Sequence, residues 1–305
     1  MPELRDEYDT PWKDVIEAYF EDFIGFFFPK IHAEIDWSRG YDFLDQELSQ
    51  VVRDAELGKR WADKLVKVWK RSGEETWVLA HIEVQSQEES NFSERIFVYY
   101  YRLRDKYNRE IVSLVILGDD RETWRPQSFQ AGIWGCQVRF EFPIIKLLDY
   151  EPKWAELETH RNPFALVVMA HLKTKETRNN APARKEWKFR LTRRLYEQGY
   201  ERQDILNLFR FLDWMLELPE PLKQAFRTEL AQYEQEQKMP YVTSIERMGR
   251  EEGREEGRKE GRKEGREEER QAIARNLLRK NLPLEMIAEV TGLTIAQLQQ
   301  LQTEN

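Results

Sequence analysis

A single cysteine, Cys136, rules out any internal disulfide. That usage suits a reducing compartment, and a lone thiol among apolar neighbours reads as packed rather than reactive. The four histidines, His32, His81, His160 and His171, lack the spacing of a zinc site. Long hydrophobic runs are missing too. The strongest apolar stretches, residues 23–28 and 164–170, fall far short of the ~20 residues a membrane helix requires. The opening MPELRDEYDT is acidic and polar, so no secretory leader is expected. Nor is there a basic excess: 48 Lys and Arg stand against 56 Asp and Glu, a net charge of −8. These absences argue against a disulfide scaffold, a membrane protein and an indiscriminate coat for nucleic acid. The expectation is a cytoplasmic protein with no membrane partner. A local basic face remains enough to meet phosphates.

The residues present are those of a folded protein: 40% hydrophobic and 12% aromatic over 305 residues, enough for one generous core or two modest domains. After Pro11, residues 12–28 carry aromatics at helical spacing, with Tyr19, Phe20, Phe23, Phe26 and Phe27 as core, until Pro29. Residues 41–57 read as a second helix. Two strand-like runs, 62–69 and 76–85, flank the polar turn Arg71-Ser72-Gly73-Glu74. Residues 94–107 read as a helix, 111–117 (IVSLVIL) as a strand buried on both faces, and 135–142 as a further strand. Helix, strands, helix and more strands is an α/β order. Beyond residue 150 the pattern turns helical, over 154–158, 164–173, 185–198, 202–216 and 221–236.

The hairpin carries an acid on each strand. With its centre near Gly73, residues whose numbers sum to about 146 face each other, and Asp63 and Glu83 meet that condition. Cross-strand partners have Cβ atoms roughly 5 Å apart, a spacing at which two carboxylates share one cation. Gln85 falls on the same face as Glu83, as does His81. Two carboxylates without His or Cys favour Mg²⁺ or Mn²⁺ over zinc, and such an ion suits phosphodiester hydrolysis. The plainer reading is also open: acids at strand ends commonly face solvent, and His81 also suits a structural role.

The stretch DKLVKVWKRSGEETWVLAHIEVQSQEE, with its Asp-x-Leu-Val and I-E-x-Q strands, then Arg95 and Tyr99-Tyr100-Tyr101, resembles the Rpn family of recombination-promoting nucleases, also described as transposases, within the PD-(D/E)XK nuclease superfamily. The likeness runs over roughly the first two-thirds of the chain and into MPYVTSIERMGREEG, with its charged glycine-rich tail. It implies a restriction-endonuclease-like mixed sheet flanked by helices and metal-dependent DNA cleavage. Asp63 and Glu83 become metal ligands, and Glu47, on the helix before the first core strand, is the leading third acid, with Asp54 second. Gln85 stands where the superfamily usually has lysine. Glutamine offers hydrogen bonds but no charge, so activity is weaker or Lys64 or Lys67 takes the role.

Arg184, Lys185, Lys188, Arg190, Arg193 and Arg194 form the densest positive cluster, with Trp187 among them. Two readings stand: contact with DNA phosphates, or a solvated helix face. From Gly249 to Gly265 glycine recurs every fourth residue among Arg, Lys and Glu. Each interior glycine costs a helix about 1 kcal/mol, more than the flanking ion pairs return, so a linker is favoured over an oligomerisation surface. Residues 271–305 outline a small helix-turn-helix-like motif whose last helix, IAQLQQL, lacks bases for reading DNA, so self-association fits it better. The expected organisation is a nuclease-like core over 1–150, a helical extension over 151–240, a charged linker over 241–270 and the C-terminal motif over 271–305. The expected function is a Mg²⁺-dependent DNA endonuclease that forms homo-oligomers through its tail. Its rivals are a DNA-binding accessory protein that cleaves poorly and an oligomerising interaction protein.

Overall fold

The computed structural model describes residues 9–46, 48, 64–83, 91–237, 274 and 278, with 9–10 and 79–83 given as backbone. The chain divides into two compact units, residues 1–233 and 234–305. All the strands below lie in the first unit, together with the helices between residues 154 and 215.

The stretch expected as one helix, residues 12–28, is two, and a third helix follows it. Helix α1 (Asp9–Ala18) buries Trp12, Val15 and Ile16, and α2 (Phe20–Phe27) buries Phe20, Phe23, Ile24 and Phe27. They meet at Tyr19, whose backbone leaves helical geometry at φ −134° and whose hydroxyl donates to Asp204 at 2.9 Å. The break turns Phe20 into the rings of Trp37, Tyr41 and Phe43. Pro29 opens α3 (Pro29–Glu34), where a missing N–H costs nothing.

The main sheet has five strands in the order β1 (Asp42–Phe43), β2 (Lys64–Trp69), β3 (Glu75–Glu83), β4 (Glu110–Leu117) and β7 (Ile144–Lys146). The first three are antiparallel neighbours, whereas β3, β4 and β7 run parallel. Strand β1 corrects the helix expected from residue 41: Asp42 and Phe43 pair with Lys67 and Val66, and helical residues begin only at Asp45. Helix α4 (Phe92–Tyr107) makes the crossover from β3 to β4. Alternation splits the strands between two faces. Leu65 and Trp77 pack with Tyr99 and Leu103 of α4, and Val115 and Leu117 pack with Phe92 and Ile96. The even-numbered Val66, Val78, Leu114 and Ile116 are buried as well, as the unbroken apolar run of β4 requires.

Strands β5 (Ser128–Ile133) and β6 (Cys136–Glu141) form a separate two-stranded ribbon. This corrects the reading of Cys136 as packed, because on the ribbon it is exposed. The later helices are α5 (Trp154–Thr159), α6 (Pro163–Glu176), α7 (Ala181–Glu197), α8 (Arg202–Met215) and α9 (Glu220–Glu236). Helix α6 is the buried axis. Every residue from Pro163 to Leu172 is buried, and α2, α5, α7 and α8 pack around it, the environment that an apolar helix needs on all sides. Asn162 caps it, its side-chain oxygen accepting from the Phe164 N–H at 2.8 Å.

Candidate metal and nucleic-acid site

The β2–β3 turn forms as the sequence indicates. The Lys70 N–H donates to the Glu74 carbonyl at 2.8 Å, the Gly73 N–H donates to the Lys70 carbonyl, and Gly73 adopts φ +93°, which glycine reaches without a Cβ penalty. The register is offset from the expected one: Lys64 faces Ala80 and Val66 faces Val78, so partners sum to 144 rather than 146. An even offset keeps odd residues on one face. Of the proposed metal residues, Asp63, Glu47 and Gln85 lie outside the described residues, as does Asp54. Glu83 is the last residue of β3, and its neighbour across the sheet is Leu117, whose own partner is Lys146. Three parallel strands thus end level at Glu83, Leu117 and Lys146. His81 pairs with Val115 on the same strand. No group of three or more His, Cys, Asp or Glu able to hold a metal occurs among the described residues.

Two residues past β4, the edge carries an ionic cluster. Lys146 donates to both oxygens of Asp119, at 2.7 and 2.6 Å, and to the Trp124 carbonyl at 3.1 Å. Asp119 Oδ1 also accepts from the Arg121 N–H at 2.9 Å. Both partners are buried, and a buried pair persists only with its remaining lone pairs and protons satisfied, as here. His171 of α6 bonds the Gly118 carbonyl through Nε2 at 2.8 Å, tying the helix to the end of β4. Burial, with Lys175 beside it, pushes the His171 pKa down to about 3, so the ring is neutral and Nε2 carries the proton it donates. One turn on, burial pulls the Lys175 amine down to about 8 against the opposing pull of Asp120 and Asp119. Sequence reading missed this cluster. The available signals were Gly118-Asp119-Asp120 closing an apolar strand, and a lone lysine inside Ile144-Ile145-Lys146-Leu147-Leu148.

The expected DNA-contacting side chains have partners within the fold. Lys64 is buried and donates to Glu17 at 2.8 Å and Asp45 at 2.9 Å. Burial acts to lower its pKa, but these two hydrogen bonds outweigh it and the net shift is upward. Lys67 pairs with Asp42 at 2.6 Å. Lys188 is buried and holds Asp213 Oδ1 at 2.8 Å and the Leu216 carbonyl at 3.2 Å, closing the end of α8. Arg184 donates to the Thr174 carbonyl and to Thr177 Oγ1, and Lys185 pairs with Glu229. Arg194 reaches the Leu157 and His160 carbonyls, where burial lowers its pKa. Arg190, paired with Glu158, and Arg193, paired with Glu197, remain exposed. Trp187 stands edge-on to Trp154, and the Lys173 ammonium lies over both rings. Most of the cluster therefore fastens α7 to its neighbours, and the buried Lys64 and Lys188 present no ammonium to a phosphate.

No family model, no curated protein and no solved structure matches the chain. No helix among the described residues is long and apolar enough to cross a membrane.

Proposed function

We propose that the chain is a metal-dependent DNA endonuclease with its site at the open end of the β2–β3 hairpin. One observation carries the reading. Lys64, which follows Asp63 in the chain, starts β2 opposite Ala80, three residues before Glu83 ends β3. The hairpin thus brings the strand that follows Asp63 in the chain alongside the strand that ends at Glu83, which is what carboxylates 20 residues apart in sequence need to share a cation. Hard oxygen donors fit Mg²⁺ or Mn²⁺. Asp63 and Glu83 would hold the ion, with Glu47 as third ligand. When bound, it supplies charge to the scissile phosphate and acidifies a water. Gln85 orients that water or a phosphate oxygen by hydrogen bonding. Level strand ends support this placement, since parallel strands present ligand sites at their carboxyl ends.

A second reading, a DNA-binding accessory protein that cleaves poorly, is favoured by one further observation. With Gln85 in the lysine position, the two lysines expected to take that role, Lys64 and Lys67, are already paired with Glu17, Asp45 and Asp42. Plasmid cleavage in Mg²⁺ and Mn²⁺ by wild type, Asp63→Ala and Glu83→Ala decides between them. Nicking lost in both variants supports the nuclease. Binding that survives Asp63→Ala, with no metal-dependent nicking by wild type, establishes the accessory protein.

A further inference from the structure

The β5–β6 ribbon is the most exposed apolar element among the described residues. Its register pairs Phe129 with Phe140, Ala131 with Val138 and Ile133 with Cys136, so one face is wholly apolar. At its base that face meets α4: Phe129 stacks on Phe97, 4.9 Å between ring centroids, and Phe140 packs on Tyr100. Towards the tip it is bare, and every residue from Gln130 to Arg139 is exposed. Trp134 at the turn is 97% exposed, Ile133 65% and Val138 41%. Tyr101, stacked on Phe97 beside the base, is 47% exposed. Trp134 and Gly135 have positive φ, 51° and 86°, the geometry of a tight turn that matches strand twist and favours Asn-Gly. A tryptophan held there strains the backbone and gains no packing inside the fold.

Charge limits what can cover this face. No acid occurs between Glu122 and Glu141, and the two bases in that stretch, Arg125 and Arg139, are paired with Asp149 and Glu141. The ribbon is thus neutral, and neither an anionic nor a cationic partner gains from it. In a chain of net charge −8, a neutral arm is also where a second copy approaches with least repulsion. Area agrees. Trp134, Tyr101, Ile133, Val138, Ala131 and Cys136 together offer roughly 600 Å² of exposed surface, at the upper end of what a monomer leaves bare. That is about three-quarters of the ~800 Å² per partner that a stable dimer buries, and a polar rim supplies the remainder. The surface is also self-complementary. It carries a projecting tip and, at its base, the rings of Phe97, Tyr101 and Phe129 for a tip to cover.

We infer that the apolar faces of two β5–β6 ribbons pack together about a two-fold axis, making the chain a dimer through this arm. An isologous contact uses the same patch on both copies. The Ala131–Val138 rung lies midway between Phe129–Phe140 and Ile133–Cys136, so with the two ribbons antiparallel the axis passes through it. Val138 of each copy then meets its counterpart, and each Trp134 covers the base rings of the other copy. The inference is independent of the nuclease reading and needs neither DNA nor metal. It is also distinct from the self-association expected of residues 271–305.

The test is sedimentation equilibrium of the full chain over roughly 1–100 μM, using wild type, Val138→Glu, Val138→Lys and an equimolar mixture of the two variants. Because Val138 and its rung partner Ala131 are exposed, the variants keep the wild-type melting temperature. Wild type is expected to dimerise reversibly. Like charges brought together on a desolvated axis weaken each variant's dimer by at least about a hundredfold, and the mixture, which sets Glu against Lys, recovers it. A wild type that stays monomeric throughout overturns the inference. Variants that associate as tightly as wild type also overturn it, and assign association to another part of the chain. So does a mixture that fails to recover the dimer, because the two-fold contact at Val138 is then wrong. Monomeric wild type that sediments with neutral phosphatidylcholine vesicles, and loses that binding in Trp134→Ala, overturns it in favour of a lipid surface.

Discussion

Lys146 holds both carboxylate oxygens of Asp119 at 2.7 and 2.6 Å, with both side chains shut away from solvent. The pair joins the end of β7 to the loop after β4, at the edge where β3 also ends. Breaking a buried pair leaves an uncompensated charge, so Lys146→Met is expected to cost about 3–5 kcal/mol. Replacing both partners removes that charge. Lys146→Met with Asp119→Leu is expected to recover much of the loss, and urea denaturation of the three variants measures it. A double variant as unstable as the single would place the cost in lost shape rather than lost charge.

His171 gives a pH signature. Its folded pKa is lowered to about 3, against an ordinary value of 6.5. Below pH 6.5 the unfolded chain takes up a proton that the folded chain refuses, so stability falls as pH drops through that window. The wild type is expected to lose more stability between pH 7 and 4 than His171→Gln, which has no titrating ring. Parallel curves for the two would mean that the ring protonates in place.

Lys175 acts at the other end of the scale. Burial lowers its amine to about 8, below the ordinary value of 10.5. Between these values the unfolded chain binds more protons, so this group raises stability as pH rises from 8 towards 10.5. Tyr150 and Tyr200 titrate against it, because burial pushes each up to about 12. For them the folded state keeps its protons above pH 10 and stability falls. The Lys175 contribution is isolated by subtracting the curve for Lys175→Met, and the difference is expected to slope upwards between pH 8 and 10.

The contrast between what the sequence revealed and what it hid follows from range. The hairpin turn was legible because Gly73 and its polar neighbours act locally, and β4 because five consecutive buried residues admit few other environments. Most helices after residue 150 were legible from periodicity, and α6 from an apolar run too long for a strand. The bend at Tyr19 was not, since it depends on a hydroxyl reaching Asp204, 185 residues away. The roles of Lys64 and Lys188 were hidden for the same reason. A lysine reads as a surface charge until its acids are known, and Glu17 and Asp213 come from other elements. Of the proposed metal site only Glu83 lies among the described residues, and the hairpin register was missed by two because turn chemistry fixes it only once the turn closes. Cys136 was misread because an apolar neighbourhood in sequence becomes an exposed face on a ribbon that leaves the sheet.

The α7 cluster separates into parts with opposite expectations. Lys188→Met removes the ammonium that satisfies Asp213 and the Leu216 carbonyl, so it is expected to cost about 2–3 kcal/mol of stability. Arg190 and Arg193 sit in exposed ion pairs, which contribute little, so replacing both with Ala is expected to change stability by less than about 1 kcal/mol. On the phosphate-contact reading, the same double change weakens DNA binding and lowers the slope of log affinity against log salt by roughly 2, one phosphate per arginine. Lys188→Met, folded at low temperature, leaves that slope unchanged because its charge never reaches the surface. Salt titrations of the three proteins therefore distinguish a DNA-facing α7 from a helix whose basic residues serve only its own packing. An unchanged slope in the double variant assigns the whole cluster to packing.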